Sequence, residues 1–423
     1  MKRKKILVST LALAMILLKP GVALAGIHDV AVSGTPMSLQ QCFDMAVKQN
    51  LTVKAGEKAV EKAKIKEGTA WDMDKTEIAF SQNPATGGDT DNGFTFSQSM
   101  DFPTVYSARR GQLKAETKAE KSRLAVINQQ LKADIAVAYY TMLYQMRRLD
   151  ILQQQDSILK RYSDVAEKRY KAGEARQLEF LAAERLHNEN RLEMESVKSE
   201  VENRQLQLMT LLNSSEPIVP AEKTLRAIAA DAKGCYNYLQ TADAQYQQDK
   251  LKALDKEIKC AKAGYAPSLS LALRTQCVIA DWNPYNVDRS RFKDGNFFGF
   301  EIGVGVPLFY GATKAKVKAA KMDREAAELE MQQEQQNRER DYKMALNRVN
   351  TMQKRLQFYE ESYDAQAKEI SRLSALEYEN GEISYVEYAN AIQEGMDVLM
   401  KHADVVNEYN QAVIELQRLA GIF

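Results

Sequence analysis

Three histidines, His28, His187 and His402, stand isolated, and no His or Cys occupies ligand spacing on one predicted helix. The four cysteines, Cys42, Cys235, Cys260 and Cys277, lie far apart and form no Cys-x-x-Cys pair. That scatter does not build a zinc site, and most of these cysteines read as small buried apolar residues. Their pairing is left open by the sequence. No nucleophile–base pattern, glycine-rich phosphate loop or pair of catalytic carboxylates occurs. Neither an enzyme nor a cofactor is expected. What stands out is a pair of short breaks in long helical patterns, Tyr170-Lys-Ala-Gly173-Glu174 and Tyr378-Glu-Asn-Gly381-Glu382. Glycine there permits a tight turn and a close approach by another backbone; the plainer reading is a helix stop. An acidic residue follows each break, in Leu178-Glu179-Phe180 and Val386-Glu387-Tyr388.

These breaks are landmarks of a duplication. The second lies 208 residues after the first, as does Leu419-Ala420-Gly421 after Leu211-Leu212-Asn213. Upstream, Phe102-Pro103 and Val306-Pro307 match at a separation of 204. Landmarks in one order at nearly one spacing indicate two copies of a half-chain unit. Each copy reads strand, proline exit, very long helix, glycine break, long helix. Residues 1–25 are read as a leader, 26–213 as the first repeat, 214–234 as a linker and 235–423 as the second repeat. The strands fall at about 76–102 and 268–306, and the long helices at 107–170, 175–212, 312–378 and 384–420.

The leader has a basic start, Lys2-Arg3-Lys4-Lys5, an apolar run from Ile6 to Leu18, and Ala23-Leu24-Ala25 as a cleavage pattern. Export follows. No cysteine comes directly after that pattern, so a lipid anchor there is not expected. A net charge of +1 over 423 residues argues against a nucleic-acid partner, which demands a strong basic excess. Ser38 to Asn50 reads as a short helix with Ser38 as N-cap, and helix continues from Val53 to Trp71.

The period then drops to two. Phe94, Phe96, Met100 and Phe102 share one strand face, with Thr95, Ser97, Ser99 and Asp101 on the other. The second copy alternates Leu269, Leu271 and Leu273 with small or polar residues, then Phe298, Phe300, Ile302, Val304 and Val306 with Gly299, Glu301, Gly303 and Gly305. Strands of about 9–11 residues have the length of tilted membrane strands. Four cannot close a barrel, and open edges are not tolerated in lipid, so a membrane reading requires several chains to share one barrel. The plainer alternative is a soluble sheet packed on helices. The segment from Ser107 to Tyr170 carries one glycine and no proline, roughly 95 Å of helix. Its narrow stripe, Leu131, Ile135, Ala138, Met142, Leu149, Leu152 and Leu159, has a coiled-coil period.

This order of parts, rather than any single motif, resembles the TolC family of outer-membrane efflux proteins over nearly the whole mature chain. The resemblance implies a mainly α fold with a β-barrel portion. It implies a homotrimer in which four strands per chain build a 12-stranded membrane barrel in outer-membrane lipid. An α-helical barrel would continue it across the periplasm of a Gram-negative cell, with a belt of smaller helices at its middle. The implied partners are a periplasmic adaptor (membrane fusion protein) and an inner-membrane RND or ABC transporter. The adaptor would dock at the helical tips, on Tyr170, Gly173, Tyr378 and Gly381. Inward carboxylates just inside the tip would form rings in a trimer, which concentrate cations. The matching positions are Glu179 and Glu387, with Asn390 where a further acid is common. A solvated helix face is the plainer role for both glutamates. The implied activity is passive exit of small molecules or ions from a tripartite efflux pump; the alternatives are type I protein secretion, or a poreless periplasmic coiled-coil scaffold.

Overall fold

The computed structural model describes residues 33–84, 90–231, 236–278 and 296–423. The leader and His28 lie outside these residues, as do Cys235 and most of the expected loop between Asn283 and Asn296. Ser38 caps helix α1 (Leu39–Gln49) in a reciprocal capping box with Gln41. Asn50 then accepts from the amides of Thr52 and Val53, starting α2 (Leu51–Lys66), which ends in a 3-10 turn, Glu67–Trp71.

Each repeat next sends out a hairpin. Strands β2 (Glu77–Pro84) and β3 (Thr90–Asp101) form the first, and β5 (Ser268–Val278) and β6 (Asn296–Gly305) the second. They join into one antiparallel sheet of order β2-β3-β5-β6. The register lines Ile78, Phe96, Leu273 and Phe300 in one cross-strand row, with Leu269 opposite Val304 and Leu271 opposite Ile302. Every apolar side chain of the alternating pattern therefore falls on one face. The other face is small and polar, with Arg274 and Glu301 paired at 2.9 Å. Cβ atoms at Gly303 and Gly305 would come within 2.4 and 2.5 Å of the Ser270 and Ser268 hydroxyls, so neighbouring strands crowd there.

Below the sheet stand the long helices. Pro103 occupies the first turn of α3 (Pro103–Lys171), a 69-residue helix of about 100 Å. Helix α4 (Gln177–Leu212) returns beside it. In the second repeat, α5 (Ala242–Ala263) precedes the strands as α2 does in the first. The descending helix is not continuous over 312–378: α6 (Gly311–Phe358) runs into a π turn, Tyr359–Tyr363, before α7 (Asp364–Glu379). Helix α8 (Tyr385–Ala420) returns. The four-residue difference between the landmark spacings is taken up after Pro307, since α6 starts at Gly311 rather than at the proline.

The helices stand side by side as an open arc. Near the sheet the order is α2–α3–α5–α6, under β2, β3, β5 and β6; toward the tip it is α4–α3–α8–α7. The main core lies at mid-height, where Ile135, Tyr139 and Met142 of α3 meet Cys42, Val201, Leu208 and Leu212. A short parallel bridge between β1 (Thr35–Met37) and β4 (Ile218–Pro220) brings the linker to this level. The single Tyr139 O–H is shared between Met37 O and the Glu222 carboxylate, and its oxygen accepts from the Ala221 amide. Asn410, fully buried on α8, holds the linker with a pair of 2.9 Å bonds, to Arg226 O and from the Ile228 amide.

Candidate functional site

The two glycine breaks fold alike. Gly173 and Gly381 have φ of +76° and +78°. At each, the glycine amide bonds back to the tyrosine carbonyl, at 3.0 Å in both copies. The following glutamate amide reaches Arg169 O at 2.9 Å or Glu377 O at 2.8 Å. This is a left-handed helix stop, and it accounts for glycine by backbone geometry. A Cβ at either position meets nothing within 4 Å, so both turns also present bare backbone to whatever approaches from outside.

The flanking tyrosines do not share one environment. Tyr170 is 39% exposed and stacks on Phe180 at 5.9 Å. Tyr378 is half-buried and stacks on Tyr388 at 5.2 Å, with Tyr162 of α3 5.5 Å away. Arg169 donates to the Tyr378 hydroxyl at 3.1 Å, so this tyrosine ties the second helical hairpin to the first. Tyr170 thus presents itself at the surface, whereas Tyr378 is turned toward its own chain.

The acidic positions also diverge. Ser384 and Glu387 form the capping box of α8: the Ser384 amide donates to the Glu387 carboxylate at 2.8 Å and the Glu387 amide to the Ser384 hydroxyl at 3.3 Å. That backbone bond, with the hydroxyl, lowers the Glu387 pKa below the ordinary carboxylate value. The equivalent residue in the first repeat is Arg176, which makes no side-chain cap. Glu179, half-buried in the first turn of α4, therefore keeps its carboxylate out of such a box, and Asn390 is exposed on α8. The capping residue Ser384 was the signal available in the sequence: Ser-x-x-Glu before a helix is a cap pattern.

Of the histidines, His187 pairs with Asp156 at 3.2 Å between α3 and α4, and the ring of His402 stacks on Tyr359. They lie in different helices and share no site. Cys42 is buried in the main core, its thiol pushed up to about 11 by burial and the nearby Glu222; Cys260 is half-buried on α5, and both are free.

The second feature of the site is the sheet's apolar face. Ile78, Phe80, Phe298, Phe300, Ile302 and Val304 are 59–73% exposed, and they belong to the two edge strands. Among the described residues, strands β2 and β6 each have a partner on one side only. Just below them, Trp71 and Met73 on the β2 side and Leu308 and Phe309 on the β6 side are also exposed.

A one-sided greasy sheet above long helix pairs is the architecture of a protein that meets a membrane. A family model for outer membrane efflux proteins matches residues 69–214 and 239–422, and the chain belongs to that family. It is a transport protein of the Gram-negative outer membrane, extending into the periplasm. Neither this family nor its structural neighbours are enzymes. Among solved structures, CusC aligns with a TM-score of 0.72 at 16% identity, covering 92% of this chain and 93% of that one. A membrane protein from Pseudomonas aeruginosa aligns at 0.73 and 18%, covering 92% and 91%. The Campylobacter jejuni CmeC outer membrane channel aligns at 0.70 and 16%, covering 90% and 85%. No protein of curated function matches the sequence significantly.

Proposed function

We propose that three copies of this chain close into one channel: a 12-stranded barrel in the outer membrane, continued by a helical tunnel through the periplasm. The observation that carries this reading is the pair of free edges. At the sheet they are β2 and β6, near the sheet end of the helices α2 and α6, and toward the tip α4 and α7. Because β2 leaves the helix end of the sheet and β6 returns to it, setting β2 of one copy beside β6 of another continues the antiparallel pattern. A repeated head-to-tail contact of this kind closes into a ring, and closure removes the edges that lipid does not tolerate. The apolar face then turns outward and the Arg274–Glu301 face lines the pore.

The channel serves as the passive exit of a tripartite efflux pump. A periplasmic adaptor would dock on the bare glycine turns at Gly173 and Gly381, with Tyr170 and Tyr378 beside them, and an RND or ABC transporter would supply the energy. The tip opens when the adaptor draws the helical hairpins outward, which must release the Arg169–Tyr378 bond. The purified full chain in detergent is expected to have the mass of three chains and to give discrete single-channel conductance in a planar bilayer. A monomer without conductance would overturn the reading and favour the poreless scaffold.

A further inference from the structure

The repeat leaves one contact of the tip half made. In the second hairpin, the Tyr378–Tyr388 stack is covered by Tyr162 from the first hairpin, with ring centroids 5.5 and 4.6 Å away. Arg169 adds its hydrogen bond to the Tyr378 hydroxyl. Tyr162 and Tyr388 are only 9% and 8% exposed as a result. The first hairpin builds the same stack 208 residues earlier, Tyr170 on Phe180, with the ring planes 4° apart. Among the described residues no third ring is stacked on it. By the same spacing the residues equivalent to Tyr162 and Arg169 are Ile370 and Glu377, on α7. Helix α7 ends the arc on one side and α4, which carries Phe180, ends it on the other. Ile370 is 41% exposed, and Tyr170 is 39% exposed.

We infer that Ile370 and Glu377 of one copy cover the Tyr170–Phe180 stack of the next, so that the α3–α8 contact inside the chain recurs as an α7–α4 contact between chains. This rests on the ring closure proposed above. The depths agree: Tyr162 and Ile370 each precede their turn glycine by 11 residues, and Phe180 and Tyr388 each follow theirs by 7. Both helices therefore bring their contact residues to the level at which the in-chain contact forms. The chemistry agrees as well. Ile370 offers an apolar surface to the two ring faces in place of a third ring. Glu377 reverses the polarity of Arg169: within the chain a guanidinium donates to a phenol oxygen, and between chains the Tyr170 O–H donates to a carboxylate. The seam assigns Tyr170 to subunit contact, and leaves the glycine turn beside it as the exposed surface.

The test is a Phe180→Cys, Ile370→Cys double variant in a full-length chain whose four native cysteines are alanine, treated in membranes with short bifunctional thiol reagents. Covalent dimers and trimers are expected, and neither single variant should give them. The mass in detergent separates the two levels of the proposal. Trimer mass without covalent ladders, at any reagent length, leaves the ring standing and removes the seam. A monomer mass removes the ring reading itself. Cross-links from Phe180→Cys to an added adaptor instead of a second copy would also overturn the seam.

Discussion

Glu179 and Glu387 hold equivalent places in the two repeats, yet only Glu387 is bound to the start of its own helix. If a carboxylate ring selects cations, Glu179 is the better placed to form it. Glu179→Gln should move the reversal potential of the channel in a salt gradient toward zero, whereas Glu387→Gln should shift it less and instead loosen the start of α8. An equal shift from both variants would remove the distinction. Asp249 is a second residue whose surroundings decide its behaviour. Its side chain is 1% exposed and receives Ser122, Gln245, Lys118 and Lys252. Burial alone raises its pKa, but these four bonds outweigh burial and hold it at about 2. The folded value lies below the ordinary carboxylate value of about 3.9. The stabilisation is thus complete above that value and is lost as pH falls from there through about 2. Asp249→Asn should remove it at neutral pH. Since Lys118 and Lys252 are 61% and 57% exposed and free to turn to water, the cost is about 1–2 kcal/mol. Thermal unfolding of both proteins at pH 7 and pH 3 checks this: the gap should narrow at the lower pH.

At the scale of elements, the glycine turns separate backbone need from partner need. Asparagine tolerates the left-handed region that alanine strains against, and a Cβ has open space at both turns. Gly173→Asn with Gly381→Asn should therefore preserve the trimer, while Gly→Ala at either costs about 1 kcal/mol. Gly→Trp at both should abolish efflux in a drug-resistance assay with the trimer intact; full resistance would mean that no partner needs bare backbone there. The same elements show what a sequence discloses. The capped helix α1, the alternating strands and the glycine stops were readable because local chemistry sets each of them: the Ser38 box, the period of two, the positive φ. Helix α5 leaves no such signal, because its buried contacts are Ala244 and Asp249 rather than an apolar stripe. The π turn at Tyr359–Tyr363 is silent in the sequence too, since no proline or glycine marks it. The β1–β4 bridge is three residues long on each side, too short for a periodic signal. At the tip, the tyrosine pair was legible as a repeat but its inequality was not. Whether Tyr170 or Tyr378 is covered depends on which hairpins are neighbours in space.

For the whole molecule, the deciding physics is what the described sheet and helices leave uncovered. The sheet has two faces of opposite chemistry and two unpaired edges, and the helical arcs below it end over the same edges. A soluble sheet would cover its apolar face with a helix; here Phe300 and Ile302 remain 71% and 70% exposed. Water does not favour that face, and a bilayer does, provided the edges are closed by further copies. The two faces then answer differently to charge. Phe300→Arg puts a guanidinium on the lipid side and should cost about 2–4 kcal/mol near the bilayer midplane, cutting the yield of membrane-inserted trimer. Thr95→Arg lies one row away on the opposite face, opposite Arg274 in the β3–β5 register. There it meets water and a like charge, and should leave insertion largely intact while shifting ion selectivity toward anions. Heat-resistant trimer on gels of the outer-membrane fraction measures the first effect, and reversal potential the second. If both variants insert equally well, the apolar face does not meet lipid, and a closed barrel loses its physical basis.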